Sequence, residues 1–132
     1  MKQESGRMTQ VKKIQAFTDL LAWQRGHELV LGVYKATKLF PKVEQYGLTS
    51  QLTRAVVSVT SNIAEGFSRS SAADKAHFYV MAQGSLTEVQ NQLIIARDLA
   101  YLENVLFVEL EDVSVLTHKL LTGLIKKTRE QL

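Results

Sequence analysis

Apolar residues recur at three- and four-residue intervals over four long stretches of this chain, a period that predicts helices rather than strands. The first stretch runs from about Asp19, placed to serve as an N-cap, to Leu39 or Phe40. Pro41 stops it, since the residue before a proline disfavours helix. Two stripes lie along it, Leu20, Trp23, His27, Leu31 and Tyr34 on one side and Ala22, Leu29, Val33 and Ala36 on the other. Trp23 and Tyr34 read as core anchors rather than a stacking platform for bases, and His27 as a hydrogen-bonded core histidine. After a turn over residues 42–47, the second helix begins near Leu48 and reaches about Glu65. Gly66 there suits the left-handed position past a helix end, with Phe67 folding back on the bundle. The third helix, about Ala72 to Ala100, is capped by Ser70 or Ser71 and shows one face of Ala72, Tyr79, Ala82, Leu86, Val89, Leu93, Ala96 and Ala100. Gly84-Ser85 in its middle predicts the close approach of another helix backbone. The fourth helix, about Val105 to Lys127, points Leu106, Leu110, Val113, Leu120 and Leu124 inward. Four amphipathic helices with short connections predict an all-α fold, an up-down-up-down antiparallel four-helix bundle.

The second helix has two unlike faces. Leu52, Val56, Val59 and Ile63 form its apolar stripe, and Val57 with Ala64 adds apolar surface elsewhere, so it is expected to be covered on more than one side. Arg54, Ser58, Ser61 and Glu65 recur at helical spacing on another side, with Asn62 beside them. Arg54 and Glu65 stand about 16 Å apart along the axis and cannot pair within the helix. Serine and asparagine are poor helix formers, so each is expected to meet a partner on another helix or another subunit. The stripe reads as a hydrogen-bonded seam that sets register or oligomer geometry; the alternative is a polar-lined groove for a ligand or RNA.

With 132 residues the chain suits one domain, residues 17–132, preceded by a mobile basic tail over residues 1–16. The absence of cysteine removes disulfides, thiolate nucleophiles and cysteine metal sites. No apolar run approaches the roughly 20 residues of a membrane span, and the polar start does not resemble a signal peptide, so a cytoplasmic protein is expected. The net charge of +3 sits entirely in residues 1–13, where Lys2, Arg7, Lys12 and Lys13 face only Glu4. The rest is neutral but polarised. Glu103, Glu109, Glu111 and Asp112 crowd the start of the last helix, and Lys119, Lys126, Lys127 and Arg129 crowd its end, an order that complements the helix dipole. Lys12, Lys13, Arg69, Lys126, Lys127 and Arg129 are the candidate nucleic-acid contacts.

Catalytic chemistry finds little purchase. A carboxylate-bridged metal pair in a bundle needs Glu-x-x-His on two helices, yet Glu28 meets Leu31, Glu65 meets Ser68 and Glu88 meets Asn91 at that spacing. Asp74 with His77 is the one carboxylate–histidine pair so spaced, and it reads as a first-turn acid and its neighbour. There is no nucleophile elbow and no glycine-rich phosphate loop, and His27, His77 and His118 fall on three different helices. No enzyme activity, metal or cofactor is expected.

Several segments together resemble a known family. They are Asp19-Leu20 with Ala22-Trp23, Tyr34 with Phe40-Pro41, Tyr46 to Leu52, Ser58 to Gly66 (S-V-T-S-N-I-A-E-G) and Gly84-Ser85-Leu86 with Glu88. They are similar to the four-helix-bundle proteins also called 23S rRNA intervening-sequence proteins, some of which are described as ribosomal. The motifs cover about Asp19 to Leu102, and the last helix follows by pattern. Thr60 stands where proline is frequent, which should leave the second helix straighter. Thr53 stands where a second arginine is frequent, which weakens the case for a basic groove. The resemblance implies a homo-oligomer of five copies and no enzyme activity. The function expected from the sequence is a non-enzymatic homo-oligomeric scaffold that associates with structured RNA or an RNA-handling protein. The alternatives are a protein–protein adaptor with no nucleic-acid role and a small-molecule-binding bundle.

Overall fold

Leu21–Thr37 (α1), Leu48–Ser68 (α2), Ala72–Asp98 (α3) and Asn104–Arg129 (α4) form four helices, with short 3-10 turns at Phe17–Asp19 and Lys42–Glu44. The computed structural model describes residues 13–132, and no strand occurs among them. Most of the expected tail therefore lies outside the described residues. Each helix packs on two others, α1 on α2 and α4, and α3 on α2 and α4, so the four close into a ring around one core. Between α2 and α3, Ser58 meets Ser85 and Gln51 meets Gln92; between α3 and α4, Gln83 meets Thr122 and Gln90 meets Ser114. In both pairs residue numbers rise along one helix as they fall along its neighbour.

The two stripes of α1 separate. Ala22, Leu29, Val33 and Ala36 are buried, with Gly26 among them. A Cβ on Gly26 would lie 3.1 Å from Thr60 Cγ2, so glycine lets α1 approach α2 closely. The other stripe turns outward: Leu31 is 59% exposed and Tyr34 46%. Leu31 lies two residues, about 200°, around the helix from both Leu29 and Val33, so one set of neighbours cannot cover both stripes. Trp23 alone of that stripe's aromatics packs against the core, and His27 is exposed, stacked on Trp23 with ring centroids 4.7 Å apart. The expectation of a core histidine is corrected. Nor does Asp19 cap α1; its carboxylate accepts the backbone N–H groups of Gln15 and Ala16 at 3.0 and 3.1 Å and closes the preceding turn.

In α2, Leu52, Val56, Val59 and Ile63 are buried as expected, whereas Val57 is exposed. The helix does not end at Glu65 but continues to Ser68, with Gly66 buried inside it. The left-handed residue is Ala100 instead (φ 63°), where α3 ends at Asp98 and the Tyr101 N–H reaches the Ala96 carbonyl at 2.9 Å. Gly84 of α3 is exposed, and an added Cβ would meet nothing within 4 Å, so among the described residues no helix closes on the glycine itself.

The buried line of α4 is Phe107, Leu110, Ser114, Thr117, Leu121, Ile125 and Thr128; Leu106, Val113, Leu120 and Leu124 flank it half-buried. Apolar periodicity alone misplaces this face because three of its members carry hydroxyls. Each hydroxyl is satisfied by its own helix, Ser114 donating to the Glu111 carbonyl at 2.8 Å, Thr117 to Val113 at 2.7 Å and Thr128 to Leu124 at 2.7 Å.

At the turn ends, Glu44 accepts the Leu48 N–H at 3.0 Å and the Tyr101 hydroxyl at 3.0 Å, tying the entry of α2 to the α3–α4 connection. The hydrogen bond to Glu44, then burial and the carboxylate charge, raise the Tyr101 hydroxyl above the ordinary 10.0. Neutral Tyr101 thus adds stability in full below the unfolded-state value, and the contribution is lost as pH climbs through the raised one. Tyr101→Phe is expected to flatten the decline in melting temperature above about pH 10, as read by circular dichroism across a pH series.

Candidate functional site

The polar stripe of α2 is divided among four environments. Ser58 is half-buried and shares a 2.8 Å hydrogen bond with Ser85 of α3, while the Asn62 Nδ2 donates to the Ser58 carbonyl at 2.9 Å and to its Oγ at 3.0 Å. These three residues make a short seam joining α2 to α3 within one chain. Glu65 pairs with Arg69, one turn on, at 2.8 Å. Ser61 faces outward and is exposed. Arg54, also exposed, lines a groove of about 390 Å³ with Gln51, Ala55, Ser58 and Glu88, and no ion pair among the described residues engages it.

Behind that groove stands a residue that the sequence did not single out. Gln92 is 4% exposed, donates to Glu88 Oε2 at 3.2 Å and sits 3.5 Å from Gln51 Oε1. Its own carbonyl oxygen has no hydrogen-bond partner among the described residues. Ser85, Glu88 and Gln92 recur at three and four residues on α3, the same spacing as the α2 stripe, and that shared period was the available signal. It is masked because Leu86, Val89 and Leu93 alternate with them in the core.

The six basic candidates also part company. Lys12 lies outside the described residues, and Lys13 is exposed at the start of them. Arg69 is committed, its guanidinium on Glu65 and 4.6 Å over the Phe78 ring. Lys127 lines an apolar hollow with Leu20, Leu21, Lys119 and Leu124, next to α1. Lys126 and Arg129 line a different groove, between α3 and α4, of about 610 Å³ with Gln83, His118 and Thr122. Among the described residues, no group of three His, Asp or Glu side chains could hold a metal ion, and no helix is long and apolar enough to cross a membrane.

The model of the 23S rRNA-intervening sequence protein family matches residues 18–123, from the turn before α1 into the last third of α4. The chain belongs to that family. A crystal structure of a protein of unknown function from the S23 ribosomal protein family of Bacteroides thetaiotaomicron shares the fold, with a TM-score of 0.74 at 20% identity. The likeness covers 80% of this chain and 99% of that one. No curated protein matches the chain. The family span takes in the whole α2 stripe, Ser85, Glu88 and Gln92, and stops short of Lys126, Lys127 and Arg129. The seam between α2 and α3 thus lies within the matched span, and the basic end of α4 lies beyond it.

Proposed function

We propose that this family member is a non-enzymatic cytoplasmic scaffold: an up-down-up-down bundle that assembles with four further copies of itself and associates with structured RNA or an RNA-handling protein. The observation that carries the reading is the second apolar stripe of α1, with Leu31 and Tyr34 turned to solvent on the side away from the core. Val57 on α2 belongs to the same argument, since that helix too has apolar surface left over once its core stripe is buried. Burying a large apolar side chain is worth about 1.5–3 kcal/mol, so such residues repeated at every contact favour a ring of subunits. Family membership and the free cations of α4 support the RNA side of the reading.

Light scattering at micromolar concentration tests the assembly. Five copies of the 14.8 kDa chain weigh about 74 kDa, and Leu31→Ser with Tyr34→Ser is expected to reduce that to the mass of one chain while helicity is kept. A monomer in the unaltered protein removes the scaffold. Failure to bind a structured RNA at low salt removes the nucleic-acid role and leaves the assembly.

A further inference from the structure

We propose that the groove between α3 and α4 seats the sugar-phosphate backbone of the RNA, with Lys126 and Arg129 as its two phosphate contacts; this rests on the RNA reading above. The sequence presents Lys126, Lys127 and Arg129 as a single basic run. The helix takes that run apart. His118, Thr122, Lys126 and Arg129 follow one another at four, four and three residues and so share one side of α4, whereas Lys119 and Lys127 share another.

Free cations and a single acid mark both sides, and two further observations, the neutral polar groups and the size of the opening, favour the first. Neither Lys126 nor Arg129 is held in an ion pair among the described residues, while Arg69, the strongest rival, is neutralised by Glu65. Glu130 is the one acid in the lining, so a positive excess remains. Gln83 and Thr122, linked at 2.9 Å, supply neutral polar groups beside the two cations. The opening, about 610 Å³, admits a nucleotide unit and is wider than the hollow of about 370 Å³ beside Lys119 and Lys127, where Leu20, Leu21, Leu120 and Leu124 form part of the wall.

The helix dipole does not account for this arrangement. It favours cations in the last turn on any side equally, and Lys127 serves it as well as Lys126 does. What the dipole leaves unexplained is the placement of two uncommitted cations, one turn apart, over the wider groove. The groove has no Phe, Tyr or Trp in its lining, and the exposed His118 is its one aromatic ring. Recognition falls on phosphates and is therefore tolerant of sequence and sensitive to salt. The contact lies past residue 123, where the family match ends. Assembly would repeat the groove on every copy, so modest contacts add through avidity.

The experiment is fluorescence anisotropy of the full chain on a labelled RNA hairpin, from about 50 to 200 mM salt. It compares Lys126→Glu with Arg129→Glu against Lys119→Glu with Lys127→Glu, two double variants with the same change in net charge. The first pair is expected to lose tenfold or more in affinity and about two in the slope of log affinity against log salt; the second is expected to lose little of either. Lys126→Gln with Arg129→Gln, which adds no repulsion, repeats the order with a smaller loss and guards against an effect of misfolding. Equal losses in the two charge-reversed pairs overturn the groove and leave the RNA reading standing. No binding by the unaltered chain overturns both. Equally tight binding of poly-glutamate, lost in the same variant, overturns RNA in favour of an acidic polypeptide.

Discussion

Leu86→Ala is expected to lower the unfolding free energy by about 3 kcal/mol. Leu86 is fully buried midway along α3, on the line that runs through Tyr79, Ala82, Val89 and Leu93. Two terms add. The truncated side chain gives up its transfer free energy, and the space left behind stays open because the surrounding helices are held on two sides each. At this chain length such a loss corresponds to about 10 °C in melting temperature. A urea titration at fixed chain concentration separates it from any change in assembly, since association is linked to apparent stability. A loss below about 1 kcal/mol would mean that the core closes over the gap and that α3 is held less tightly than its burial indicates.

Gly66→Ala is expected to destabilise by about 1–2 kcal/mol, although alanine is the better helix former by about 1 kcal/mol. The added methyl would lie 2.8 Å from Tyr79 Cε1, 2.9 Å from Cδ1 and 3.0 Å from Phe78 Cβ. Tyr79 is itself only 2% exposed, so its ring has little room to withdraw, and Phe78 Cβ moves only with its backbone. Overpacking of this kind costs about 1–3 kcal/mol and exceeds the propensity gain. Gly84→Ala is the control. It too sits inside a helix, but its methyl meets open space, so the isolated chain should gain up to about 1 kcal/mol. The same chemical change is thus expected to have opposite signs at two helical glycines, and thermal melts of the two variants decide it. If Gly66→Ala stabilises, the α2–α3 contact at Tyr79 is looser than the geometry states.

The candidate site was legible in part. Ser58 was expected to meet another element, and Ser85 is that partner, because a half-buried hydroxyl on a helix needs a hydrogen bond that leucine-like neighbours cannot supply, whereas Asn62 bonds back to Ser58 within its own helix. Glu65 was shown by spacing alone to be out of reach of Arg54, but its true partner, Arg69, stands past the point where the helix was expected to end. Gln92 was missed because its polar line on α3 is interleaved with the core line. The expected close approach at Gly84-Ser85 was half right: the serine makes the contact to α2, and the glycine faces away from it.

The sequence by itself determined that the chain is helical, how many helices it has, roughly where each begins and which apolar line of α2 and of α3 forms the core. These follow from local rules: the 3.6-residue period, the proline at 41, the serine cap at 71 and the absence of strand patterning. Only the tertiary structure decided which of α1's two stripes is the core, where on α4 the buried line runs, and which cations stand free. Those depend on neighbours. A second apolar stripe looks the same in sequence whether it meets the chain's own core or another copy. Hydroxyls that bond back to their own helix can sit at the centre of a core and hide it from an apolar count. A run of three basic residues is a single patch on paper, and a helix turns it toward two different grooves.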